Sequence, residues 1–150
     1  MSKIMPFTFI DIPNQAILGV NYSGMHDSSF AIVAPNGTPL FALSLERISR
    51  VKQDGRSLYG LLQEIQWDKI SKVAISAPER ISTNIPQASA LLTTRLKEPR
   101  LAKSLAHGPE FLTTINALPC EKVFVGHQEA HAASAFWGSG FDEAICLTYD

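Results

Sequence analysis

Residues 16–46, AILGVNYSGMHDSSFAIVAPNGTPLFALSLE, decide the fold. Residues 16–23 (AILGVNYS) read as a buried strand that ends in a turn containing Gly24. Residues 28–34 (SSFAIVA) read as a second strand, and Pro35-Asn36-Gly37 after it is a hairpin signal, because Asn-Gly accepts the positive φ angles of a tight turn. Residues 38–46 (TPLFALSLE) make a third strand. Three sequential strands joined by short turns should pair as an antiparallel meander.

Outward from that meander, residues 57–66 carry Leu58, Leu61, Leu62 and Ile65 at helical spacing, with Ser57 as N-cap. Residues 72–77 (KVAISA) read as a short apolar strand, parallel to the first because a helix separates them. Pro78, Pro86 and Pro99 break the next stretch, where short helices are expected at 87–95 and 100–106, with a further helix at 109–117. Residues 122–126 (KVFVG) read as a strand, 127–137 as an alanine-rich helix, and 143–149 (EAICLTY) as a last strand before Asp150. The expected class is α/β, a mixed sheet with helices on its faces.

The chain has 150 residues, 45% hydrophobic and 18% charged, a balance that builds a real core. A net charge of -1 gives no overall attraction to nucleic acid or to an anionic membrane, so any basic site must be local. The amino-terminal apolar stretch is short and interrupted by Asp11 and Pro13, which argues against a signal peptide or a membrane span. A cytoplasmic location is the expectation. Cys120 and Cys146 are too few for a disulfide framework and read as buried free thiols.

Three segments carry residues suited to chemistry. In His127-Gln128-Glu129-Ala130-His131, positions i and i+4 share one helix face, so both imidazoles can reach one ion. Two solvated histidines on an exposed face are the competing account. Asp150 adds a carboxylate at the end of an apolar strand, where a metal would satisfy it. Tyr22 to Ser29 joins the first two strands; its small residues allow close backbone approach, its serines donate hydrogen bonds, and His26 is suited to proton transfer near neutral pH. A plain connecting turn is the alternative. Glu46 to Arg56 crowds four basic residues, Arg47, Arg50, Lys52 and Arg56, into one span. They could clamp a small anion such as phosphate, or form a solvated loop balanced by Glu46 and Asp54. No P-loop pattern and no GxSxG elbow occurs.

Together, ILGVNYSGMHDSSFAIV, LERISRVKQDG and HQEAHAASAFWGSGFDEAICLTYD resemble the start of the O-carbamoyltransferases of nodulation-factor and antibiotic biosynthesis. The third block matches nearly continuously over 127–150, whereas 57–121 matches only in general pattern. The resemblance implies a two-lobed actin-like or sugar-kinase-like ATPase fold of ribonuclease H type. Residues 1–142 would belong to the first lobe, and 143–150 would open a second lobe whose remainder lies outside these 150 residues. It implies that carbamoyl phosphate and ATP yield a carbamoyl-adenylate, whose carbamoyl group passes to a hydroxyl of a sugar or natural product. It implies a divalent metal, iron first and zinc second, held by His127, His131 and Asp150. His26 would be the catalytic histidine, and Ser28, Arg47, Arg50 and Lys52 would lie near the phosphate or adenylate.

Gln128 stands where the family often has a histidine, outside the i, i+4 pair, and Gln53 stands for another frequent histidine. Family members are several times longer, so a further metal ligand and most of the nucleotide site are expected elsewhere. The partners expected are carbamoyl phosphate, ATP and a hydroxyl-bearing acceptor, with no nucleic acid and no membrane. A second lobe, or self-association, would cover an exposed apolar face. Two rival functions remain at this point: a non-catalytic lobe that binds metal or a partner, and a phosphotransferase of the same superfold. The histidine pair argues against the latter, since such kinases use carboxylates and magnesium.

Overall fold

The computed structural model describes residues 11–22, 27–56, 58–62, 65–76 and 119–149. Strands β1 (Ala16–Asn21), β2 (Ser29–Val33) and β3 (Pro39–Ser44) form the expected meander, each antiparallel to its neighbour. Gly37 takes φ +87° in the β2–β3 turn. Asn36 closes that turn by accepting the Thr38 N–H through Oδ1 at 3.0 Å. β4 (Ile70–Ser76) lies parallel to β1, and β5 (Glu121–Val125) lies parallel to β4. The result is a mixed five-stranded sheet in the order β3-β2-β1-β4-β5.

Strand alternation sorts the residues onto two faces. Leu18, Val20, Phe30, Ile32, Val73 and Ile75 point to one face and are buried there. Helix α2 (Tyr59–Leu62) brings Leu58, Leu61, Leu62 and Ile65 into the same core. The Trp67 indole N–H donates to the Leu62 carbonyl at 3.1 Å, closing the turn that leads back to β4. The other face carries Gly19, Ala31, Ala42 and Ala74, one on each of four adjacent strands and in direct register.

Several expectations need correction. The helix expected over 57–66 is observed as α2 alone, Tyr59–Leu62, with residues 58, 65 and 66 outside it. The third strand ends at Ser44 rather than residue 46, because the Leu45 N–H donates to the Ser28 carbonyl at 2.8 Å and the chain turns into a short helix, α1 (Leu45–Ser49). The last helix, α3 (His127–Ser139), runs two residues past 137 and stops at Gly140, whose φ of +75° suits a left-handed cap. Residues 143–149 form no strand. Ile145, Leu147 and Tyr149 are 99%, 91% and 93% exposed, so no strand or core among the described residues takes up their side chains. The helices expected at 87–95, 100–106 and 109–117, and the Ser57 cap, lie outside the described residues. No helix among the described residues is long and apolar enough to cross a membrane.

Candidate functional site

One cross-strand row marks the edge where chemistry gathers. Ser44 pairs with Ser29, Ser29 with Asn21, Asn21 with Ser76 and Ser76 with Val125. These positions end the parallel strands β1, β4 and β5, end β3, and begin β2. The carboxyl ends of parallel strands are where open α/β sheets place ligands, since the chain leaves the sheet there and its backbone groups are free to bind. A trough of about 610 Å³ runs over this end of the small-residue face, with Arg47 at one side and Ala130 at the other. Four strand intervals of about 4.8 Å make the row roughly 19 Å long. Ser29 belongs to the segment whose serines the sequence marks as donors, whereas Asn21, Ser44 and Ser76 carry no motif there. The available signal was the period-two run of small residues opposite the large ones, which marks a face without bulky packing.

Two of the candidate segments meet at Ser28. This residue is fully buried; its N–H donates to the Asp54 carbonyl at 2.9 Å, and its own carbonyl accepts from Leu45. The Ser28 hydroxyl is buried with no hydrogen-bond partner among the described residues. Asn21 at the end of β1 donates from Nδ2 to the Asp27 carbonyl at 2.9 Å. Asp27 itself has φ +56°, a conformation uncommon outside glycine. His26 lies outside the described residues.

The basic segment divides into paired and unpaired cations. Arg56 forks onto Asp54, with Nε 2.9 Å from Oδ1 and a terminal nitrogen 2.7 Å from Oδ2. The Arg56 N–H also donates to Asp54 Oδ1 at 3.1 Å. These donors hold the Asp54 carboxyl well below the usual aspartate range, outweighing a burial that alone would raise it. Glu46 lies 3.5 Å from Arg47 and accepts the Gln53 N–H at 3.1 Å. Arg50 and Lys52 make no ion pair among the described residues and are exposed. Arg50 and Gln53 both adopt left-handed φ values, 60° and 55°, and so bracket Val51 and Lys52.

The histidine pair is built by one helix. His127 opens α3 and His131 follows one turn later, with their Nε2 atoms 3.2 Å apart. Two imidazole nitrogens at about 2.0–2.1 Å from one ion, across an angle of about 90–110°, would lie about 2.9–3.4 Å apart. The pair therefore fits a shared ion, and a hydrogen bond between the rings has the same span. Alanines at 130, 132, 133 and 135 favour the helix that holds them. No third His, Cys, Asp or Glu joins the pair among the described residues, and Asp150 lies outside them. Cys120 is half-buried, and burial raises its thiol pKa. Cys146 is exposed, against the expectation of two buried thiols, because 143–149 does not pack as a strand.

The chain is similar to nodulation protein NolNO of Sinorhizobium fredii, with 29% identity over 150 aligned residues. The alignment takes in 94% of this chain and 20% of that relative, so the chain spans a fifth of the protein it matches. The resemblance read from the three blocks is borne out by this match. No protein-family profile matches the chain, and no solved structure matches it.

Proposed function

We propose that this chain is the amino-terminal part of an ATP-dependent O-carbamoyltransferase with an actin-like, ribonuclease H-type first lobe. One observation carries the reading. Three sequence blocks, separated by up to about a hundred residues, leave the sheet at a single edge, directly beyond the row Ser44–Ser29–Asn21–Ser76–Val125. A meander followed by two parallel strands, in the order β3-β2-β1-β4-β5, supports the lobe assignment. The similarity to a nodulation protein supports the family.

In this reading, Arg47, Arg50 and Lys52 offset the charge of carbamoyl phosphate and ATP, whose approach to each other is otherwise opposed by repulsion. The buried Ser28 lies two positions after His26 and is anchored to Asp54 and Leu45. His26 accepts the proton from the acceptor hydroxyl as its oxygen bonds to the carbamoyl carbon and AMP departs from the carbamoyl-adenylate. His127 and His131, with Asp150, would hold the divalent ion, which supplies positive charge to phosphate oxygens. Ile145, Leu147 and Tyr149, exposed at alternate positions, form an apolar edge suited to a second lobe.

The test is AMP release and acceptor carbamoylation in the full protein, with and without carbamoyl phosphate. His26→Asn should lower turnover by about 10²–10⁴-fold, the usual contribution of a general base. Unchanged turnover would remove His26 from the mechanism. AMP release that ignores carbamoyl phosphate would overturn the carbamoyltransferase reading.

A further inference from the structure

The segment Glu46–Arg56 presents two exposed cations, Arg50 and Lys52, on a short loop with a left-handed residue at each end. Such backbone is costly and persists only where its surroundings over-determine it. The restraints are identifiable. At one side, Glu46 accepts the Arg50 N–H through its carbonyl at 2.9 Å and the Gln53 N–H through Oε2 at 3.1 Å. At the other side stands Asp54, whose residue surface is only 3% exposed. The Asp54 carboxylate takes the Arg56 fork and the Arg56 N–H, and it bonds to the Ser49 side chain at the end of α1. Its carbonyl accepts the Ser28 N–H. Asp54 thus ties the end of α1 and the cationic loop to Ser28, whose own carbonyl accepts the N–H of Leu45 at the start of α1. Asp54 also occupies Arg56, which leaves Arg47, Arg50 and Lys52 as the cations able to meet a ligand.

We infer that Asp54 is a positioning residue for a phosphate-type anion held by Arg50 and Lys52. Its role is to fix both loops at the sheet edge while keeping Arg56 out of the anion's reach. This rests on the carbamoyltransferase reading only for the identity of the anion. Displacing a binding group by about 1 Å can cost as much as about 10²-fold. Loosening the loop should therefore register in anion affinity more than in turnover.

The experiment compares the full protein with Asp54→Asn, Asp54→Glu and Arg56→Lys. It measures KM for carbamoyl phosphate, kcat, and direct binding of inorganic pyrophosphate. Asp54→Asn should raise KM and the pyrophosphate Kd by about 10–100-fold while kcat stays within about threefold. Arg56→Lys keeps the charge but loses the fork, so it should fold and give a smaller rise in both constants. Asp54→Glu should recover part of the loss. If Asp54→Asn and Arg56→Lys only lower the melting temperature, and the folded protein keeps its KM and pyrophosphate Kd, the positioning role is overturned. If the parent protein shows no carbamoyl phosphate-dependent activity, the proposed function fails. The pyrophosphate titration then judges Asp54 alone: weaker binding in both variants sustains the inference, and equal binding ends it.

Discussion

The histidine pair on α3 and the cationic loop after α1 lie beyond opposite edge strands of the same sheet, and they are built on opposite principles. His127 and His131 need only one turn of helix to bring Nε2 atoms within 3.2 Å. No residue of α3 is buried among those described, so the pair depends little on the core. The loop from Glu46 to Arg56 owes its shape to contacts with residues distant in sequence, above all the Ser28–Asp54 backbone bond and the buried Asp54 carboxylate. A local site can be lost without harm to the fold, whereas a site made by tertiary contacts cannot be loosened without loosening the fold.

That contrast predicts unequal stability losses. Asp54→Ala removes a buried carboxylate with several charge-assisted donors, while the exposed Arg56 returns to water and Ser49 keeps the Val51 N–H. The expected cost is about 1–3 kcal/mol, the range for hydrogen bonds to a charged group. His131→Ala, at an exposed position, should cost within about 0.5 kcal/mol in metal-free buffer, and His127→Ala, at a half-buried one, about 1 kcal/mol at most. Urea unfolding of the three variants measures this directly. Equal losses at Asp54 and at the histidines would erase the distinction between the two sites.

The same contrast explains what the sequence disclosed. The meander was legible because Asn36-Gly37 and period-two hydrophobicity are local signals. The direction of β4 followed from the helix before it, and the histidine pair followed from the i, i+4 spacing. The Asp54–Arg56 fork is close in sequence, yet its burial arises from the approach of Ser28, 26 positions earlier, which no local pattern encodes. The basic run therefore leaves both a clamp and a solvated loop open. Tertiary packing resolves it into Arg56 forked onto Asp54, Arg47 beside Glu46, and two exposed cations, Arg50 and Lys52, with no ion pair among the described residues. Residues 143–149 failed as a strand for a related reason: their alternation is a strand pattern, but a strand exists only with a partner, and the described residues supply none.

Metal addition sharpens the comparison from the other side. At about 100 times the dissociation constant, a bound ion raises stability by about 2.7 kcal/mol. Addition of zinc, or of ferrous iron without oxygen, should raise the melting temperature of the parent, and His127→Ala or His131→Ala should abolish the rise. Asp54→Asn should keep it, because the helix forms its pair without the loop. A rise that survives loss of both histidines would place the ion elsewhere.

Acid is the gentlest probe, and its sign is fixed by Asp54. The folded carboxyl titrates well below the ordinary aspartate value of about 3.9, because Arg56 and the neighbouring donors favour its charged form. The stability it contributes is therefore fully present above about pH 4, and is lost as the pH falls toward the folded value. Between pH 5 and pH 2 the parent should lose more stability than Asp54→Asn, which has no proton to gain at that position. The difference between the two urea midpoints should shrink steadily as the pH drops. No such effect should follow from His127→Ala, because the contrast lies in a carboxylate buried by the loop and absent from the histidine face. A constant gap between parent and Asp54→Asn across that window would mean that the carboxylate's charge does not hold the loop. Its restraint would then come from the Ser28–Asp54 backbone bond, which the substitution leaves intact.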